Sequence, residues 1–369
     1  MSDVRLLVVN HRDPWHPSAG GAEEVLWEVG RRLADMGFEV TWISERYPRS
    51  AAEEERSGIR FLRRGGTASL HLFSLAEARK YDVVLDSVAH AVPFLSFLSN
   101  PRAAALVHHV HQDVLRLELS PAAAALVGAA ERALALYGNL ITVSEYTRGE
   151  IARRFGVDPG RVRVIRNGVD HARFRPGEKF RRPLFLWIGR MRRYKNPMDA
   201  VAIFHIARRM VGDERAEFAI AGGGELSGAV RAAAEARGIR FLGRVGEGEK
   251  EELYRRAWAV LVTSYVEGWG MVAVEANASG TPVVAYATGA LPELVRNGRN
   301  GILVPYRDLR AAARAIVELA DEGRMLRMSR AALEESMKYD WDRTAAEYAE
   351  YLGRLAGKGR PRARARPLS

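Results

Sequence analysis

The stretch WAVLVTSYVEGWGMVAVEANASGTPVVAYA, residues 258–287, decides the fold. Residues 258–264 form a short β-rich run, Gly268 and Gly270 interrupt it, a helical pattern opens at Met271, and a second β-rich run spans 281–287 after Gly280. Strand, glycine turn, helix and strand in that order make a parallel crossover unit whose strands are buried under helices. A turn of this kind leaves the first amide donors of the new helix, those of Met271 and Val272, free to meet an anion. The stretch also carries two carboxylates, Glu267 in the turn and Glu275 inside the helix, with seven residues between them. So placed, they suit hydroxyl groups at two points along an extended sugar-containing ligand.

The same alternation runs outward in both directions. Strands are predicted at 184–189, 217–222, 239–245 and 301–305 in the second half, and at 4–10, 38–45, 59–64, 81–87, 103–110, 139–144 and 162–168 in the first. The reading is an α/β protein with two doubly wound parallel sheets. A length of 369 residues agrees with two domains. Residues 170–183 are polar, carry Arg173, Pro176, Gly177, Lys179, Arg181 and Arg182, and break the alternation as a linker does. The expected domains are therefore 1–175 and 176–340.

Ligands of open α/β sheets bind beyond the carboxyl ends of the strands, and unusual residues gather there. Gly20 and Gly21 follow the first strand where a helix begins, a place for backbone to approach a phosphate or simply to turn. His108, His109 and His111 crowd the end of the fifth strand, where imidazoles can hydrogen-bond a sugar or serve as ordinary structural groups. Arg190 follows a strand directly, and Lys195 precedes the helix opened by Asn196 and Pro197. A fork-shaped cation and a point cation converging in this way suit a diphosphate. The chain has six lysines against fifty arginines, so a lysine at this position stands out.

Composition removes several classes. With no cysteine, disulfide scaffolds, thiolate metal sites and cysteine nucleophiles are excluded. No G-x-G-x-x-G and no G-K-[ST] occur, which weakens nicotinamide-dependent oxidoreductases and P-loop enzymes. Residues 1–10 lack the layout of a secretory leader, and neither 89–98 nor 121–137 makes a good bilayer span, so a cytoplasmic protein is expected. The net charge of +11 includes five basic residues within 357–369, a segment expected to be a disordered tail. That excess suits contact with the inner face of an anionic membrane or with phosphorylated substrates, and a solvated tail equally. No nucleic-acid partner is expected, because no aromatic RNP run or recognition helix is present.

Taken together, these motifs resemble the family 4 glycosyltransferases, retaining enzymes of the GT-B fold. The resemblance covers nearly the whole chain: Gly20-Gly21-Ala-Glu23, Val143-Ser144-Glu-Tyr146, Arg166-Asn167-Gly168-Val-Asp170, Ile188-Gly189-Arg190 with Lys195-Asn196-Pro197, Ala221 to Gly224, Phe241-Leu-Gly243, and Glu267 to Glu275. It implies two Rossmann-like domains facing across a cleft, with helix 341–356 crossing back to the first. It implies that Arg190 and Lys195 hold the donor diphosphate, that Glu267 touches donor-sugar hydroxyls, and that Glu275 meets the nucleoside ribose. The segment Gly243, Arg244 and Val245 would pass the base, while amides near Gly20, Gly21 and Gly268 to Val272 complete the phosphate site. Trp269 stands where the family usually has Phe and keeps an aromatic wall. A histidine near the reacting sugar is implied as well, with His108 and His109 favoured over His111.

The implied activity is transfer of a hexosyl unit from a UDP- or GDP-linked sugar to a lipid or glycan acceptor, with domain closure. The segment 89–98 is apolar enough to border a lipid, or to pack as a buried helix. The glycosyl transition state is oxocarbenium-like and the leaving nucleotide gains negative charge, so cations and helix amides at the phosphates lower the barrier. Neither a metal nor another cofactor is expected. Two other readings stand beside this one: an inactive nucleotide-sugar binding module, and a nicotinamide-dependent oxidoreductase.

Overall fold

The computed structural model describes residues 4–212 and 216–358. Its first sheet holds β1 (Arg5–Val9), β2 (Glu39–Ser44), β3 (Glu53–Arg56), β4 (Ile59–Arg63), β5 (Val83–Val88), β6 (Ala103–Val107), β7 (Asn139–Thr142) and β8 (Val162–Val164), in the order β3-β4-β2-β1-β5-β6-β7-β8. The second holds β9 (Leu184–Ile188), β10 (Glu217–Ala221), β11 (Arg240–Gly243), β12 (Ala259–Val262), β13 (Val283–Tyr286) and β14 (Gly301–Val304), in the order β11-β10-β9-β12-β13-β14. Every pairing is parallel except β3 with β4. Inner strands such as β5 and β9 are buried at every position, as helices on both sheet faces require. The chain is thus an α/β protein with two Rossmann-like sheets.

One strand is additional to those expected. β3 reads Glu-Glu-Glu-Arg and has no apolar face, so no alternation announces it. Charge holds it at the sheet edge: Glu53 pairs with Arg60 at 2.9 Å and with Arg64, and Glu54 with Arg63 at 3.0 Å. A charged edge of this type also discourages pairing with another chain.

The chain divides into two compact units, one of residues up to 168 together with those from 341, the other of 169–340. The division falls ahead of the linker expected near 175, because residues 169–175 are fastened into the second unit. Val169 bridges to Asp340, Arg173 pairs with Glu247 at 2.6 Å and Glu251 at 2.9 Å, and the buried Phe174 ring meets Tyr254 edge-on. In the first unit, helix Trp341–Leu355 lies against helix Gly21–Asp35, burying Trp341, Tyr348 and Leu352. Gly357, at φ +72°, and Lys358 close that helix, and Lys358 Nζ reaches Asp82 at 2.9 Å, so these first two residues of the expected tail are ordered. Residues 359–369 lie outside the described residues. Among the described residues, no helix is long and apolar enough to cross a membrane.

Candidate functional site

In the second sheet, β9 lies between β10 and β12, so the winding reverses at the β9–β12 boundary and the loops leaving their carboxyl ends open a crevice. Thr263, just after β12, ties these loops together. Its hydroxyl donates to the carbonyl of Lys195 at 2.8 Å and accepts from Trp187 Nε1 at 2.9 Å, while its own carbonyl accepts from Asn196 Nδ2 at 3.0 Å. The amide of Tyr265 adds a bond to the Tyr194 carbonyl at 2.7 Å. Lys195 is therefore held by backbone at a fixed height over the strand ends.

Lys195 Nζ meets Glu267 Oε1 at 2.5 Å, and the Ser264 hydroxyl donates to that same oxygen at 2.6 Å. Both charged side chains are largely buried, 16% and 13% exposed. Burial works against the ammonium, yet the Glu267 carboxylate outweighs it, and Lys195 is held above the ordinary lysine value. Arg190 is near enough to oppose that charge. It is itself exposed and has no ion-pair partner among the described residues. The result is one cation locked to a carboxylate beside another whose charge is not neutralised, a fitting pair for a diphosphate.

The turn behind Glu267 ends at Gly270, whose φ of +112° is closed to side-chain-bearing residues. Helix Met271–Ala278 starts there, so the amides of Met271 and Val272 have no acceptor within the helix. Gly268 and Trp269 are buried in this turn. Trp269 is 4% exposed and packs edge-on against Tyr339, so its ring buttresses the turn. Glu275 is buried one turn further along, with Lys250 Nζ at 3.6 Å. The two carboxylates thus belong to separate charge networks. Gly243 ends β11 at φ +67° and its carbonyl accepts the Gly222 amide at 2.6 Å, while Arg244 is exposed and Val245 partly so. Lys250 was not singled out in the sequence, because its local partner, Glu247 at 3.0 Å three residues earlier, makes it an ordinary helix-surface lysine, and its approach to Glu275 comes from another helix.

In the first unit, Gly20 caps helix Gly21–Asp35, but its amide is already taken by Glu23 at 2.7 Å, and Glu23 also accepts from Asn10 at 2.9 Å. The histidine triplet separates. His111 is buried, with Glu131 at 3.0 Å on Nδ1 and the Ala89 carbonyl at 3.1 Å on Nε2, so it is a structural residue. His108 shares a hydrogen bond with Ser87 at 3.0 Å, and His109 is half-buried against the His111 ring. In segment 89–98, Ala91, Pro93, Phe94 and Ser96 are buried, with Ser96 bonded to Asp86, while Ala89, His90, Val92, Leu95 and Phe97 are half-buried and Leu98 is exposed.

A second group of imidazoles was not foreseen. His11 follows β1, His90 follows β5, and His71 comes from helix Leu70–Ala78; His11 lies 5.5 Å from His71 and 5.2 Å from His90 between ring centroids. β1 and β5 are neighbours at the point where the first sheet reverses its winding. Four buried polar atoms here, Asn10 Oδ1, His11 Nδ1, Arg12 Nε and Ser44 Oγ, have no hydrogen-bond partner among the described residues. In sequence His11, His71 and His90 are scattered singly, so nothing marked them as a group.

Burial brings His11 down to about 4, helped by His71 and Arg12, and burial together with His111 brings His108 to about 4. Both values lie below that of an unfolded histidine, so their contribution is complete above about pH 6.5 and lost as pH falls toward 4. Buried Asp86, raised to about 6, acts in the opposite sense and only partly offsets them. The first unit is expected to lose stability from pH 6.5 to 4, and His11→Gln to reduce that slope by about 1.4 kcal/mol per pH unit. Hydrogen exchange of β1 and β5 amides across this range checks it; an unchanged slope in the variant refutes the assignment.

Residues 19–173 match the family profile described as Glycosyltransferase Family 4, and residues 169–335 match Glycosyl transferases group 1. A D-inositol 3-phosphate glycosyltransferase of Thermobispora bispora is 30% identical over 91% of this chain and 90% of its own. Among solved structures, sucrose-phosphate synthase of Thermosynechococcus elongatus superposes with a TM-score of 0.78 at 21% identity, covering 96% of this chain and 99% of that one. Anabaena HepE in complex with UDP-glucose gives 0.73 at 18% identity, covering 95% and 100%.

Proposed function

The chain belongs to the family 4 glycosyltransferases, and from that premise we propose that it moves a hexosyl unit from a UDP- or GDP-linked sugar to a lipid or glycan acceptor, with retention at the sugar carbon. The observation that carries this reading is the Lys195–Glu267 pair beside the unpaired Arg190, at the reversal point of the second sheet. As the sugar departs, the diphosphate gains charge; Arg190, Lys195 and the amides of Met271 and Val272 supply positive charge without needing to reorganise. Glu267, anchored by Ser264 and Lys195, keeps one oxygen for a sugar hydroxyl. Glu275, with Lys250, is assigned the ribose. The nucleophile is the acceptor hydroxyl, and the leaving phosphate takes its proton.

The acceptor is assigned to the first unit. Partnerless Asn10 Oδ1, His11 Nδ1, Arg12 Nε and Ser44 Oγ suit an acceptor rich in hydroxyls. The Thermobispora relative, a D-inositol 3-phosphate glycosyltransferase, supports the same chemical class. His108 and His109 keep the roles implied by the resemblance.

A thermal-shift panel of UDP, GDP, ADP and NAD tests the class and names the base together: stabilisation by UDP or GDP is expected, and stabilisation by NAD alone counts against the reading. Turnover of the matching sugar nucleotide separates an enzyme from an inactive binding module. Within the site, Glu267→Gln is expected chiefly to lower kcat, and Glu275→Gln chiefly to weaken nucleotide binding, each by roughly tenfold. Calorimetric titration with the bare nucleoside diphosphate decides, since equal losses of affinity in both variants contradict the division of labour.

A further inference from the structure

β8 is the edge of the first sheet, paired only with β7, and a cavity of about 610 Å³ runs beside it to the end of helix Trp341–Leu355. Arg148, Arg161, Arg163, Arg166 and Arg354 line it, and Glu145 is the one carboxylate among its lining residues. Glu145 is occupied by Arg148 at 2.5 Å and stands 4.0 Å from Arg166. Arg163 and Arg354 have their nearest carboxylates, Glu347 and Glu350, at 3.8 and 3.6 Å, beyond hydrogen-bonding reach. Arg161 gives one nitrogen to the Tyr137 carbonyl at 3.0 Å. Burial raises the Tyr351 phenol, and the charges of Arg163 and Arg354 oppose that shift.

Arg161, Arg163, Arg166 and Arg354 are solvent-exposed, most of their donors have no carboxylate partner among the described residues, and the cations repel one another across an open groove. A multivalent phosphate relieves both conditions, because each guanidinium offers it a planar pair of donors. The volume is that of a small-molecule site. We propose that this cavity is a second anion site, for a small molecule or lipid headgroup bearing at least two phosphate charges. Its walls have a bearing on the chain path: Arg166 precedes the crossing into the second unit at 168–169, and Tyr351 and Arg354 sit on the helix that starts where the chain returns at Trp341. Occupancy fastens that helix to the sheet edge.

The donor site also takes phosphate in our reading, so the experiment starts from Arg190→Ala/Lys195→Ala, in the other unit. Calorimetry of that full-length variant with inorganic tripolyphosphate is expected to show one site. Adding Arg163→Ser and Arg354→Ser weakens it by about tenfold or more, whereas Arg163→Lys alone retains most of the binding. Tripolyphosphate also slows amide exchange in residues 341–355, and the serine variants abolish that slowing. Co-sedimentation with phosphatidylinositol 4-phosphate vesicles, against phosphatidylcholine, identifies the source. Vesicle binding lost in the serine variants assigns a headgroup, and loss confined to tripolyphosphate binding assigns a free anion. No site in the donor-silenced protein, or an affinity for both probes that the serine substitutions leave unchanged, overturns the proposal.

Discussion

Replacing Lys195 with alanine lowers kcat/KM for the sugar nucleotide by roughly ten- to hundredfold, the value of a charge-assisted hydrogen bond to phosphate. The structure adds a second consequence. Lys195 is the close cationic partner of Glu267, and its removal leaves a largely buried carboxylate with only the Ser264 hydroxyl. Part of the loss is thus misplacement of Glu267. A double-mutant cycle with Glu267→Gln separates the contributions: if the pair acts as a unit, the double variant loses far less than the product of the single losses. Wild-type kinetics in Lys195→Ala, with a verified donor, exclude the role.

Gly222→Ala is expected to destabilise the second unit by about 3 kcal/mol or more, and to weaken nucleotide binding with it. Gly222 immediately follows β10, at φ +124°, a conformation nearly confined to glycine. A methyl group there would lie 1.9 Å from the Gly189 carbonyl oxygen, which is backbone and cannot swing aside. Gly189 immediately precedes Arg190, and its amide bonds to the Ala221 carbonyl at 3.2 Å, so the displacement passes directly to the loop that carries Arg190. Urea unfolding followed by nucleotide titration of the folded fraction measures both effects. A Gly222→Ala protein with native stability and affinity would show that the close approach is not needed.

Legibility differed between local and distant features. The crossover unit around Gly270 was readable because strand, turn and helix each have a local signature within thirty residues. Lys195 was readable because a lone lysine in an arginine-rich chain sits just before Asn196 and Pro197, while its bond to Glu267, 72 residues away, was not. The histidine triplet could not be resolved for the same reason: Glu131 and Ser87, each about twenty residues off, decide which ring is structural. β3 escaped because ion pairs, not apolar periodicity, keep it in the sheet. The His11, His71 and His90 group is assembled by sheet order alone, which alternation predicts only as a class.

The central claim, that the reversal point of the second sheet holds the donor diphosphate, is tested most directly by a crystal structure with the nucleoside diphosphate that the thermal-shift panel selects. The account predicts phosphate oxygens within about 3.2 Å of Lys195 Nζ, the Arg190 guanidinium and the amides of Met271 or Val272. A diphosphate bound elsewhere, with Lys195 still paired only to Glu267 and Arg190 in solvent, contradicts it.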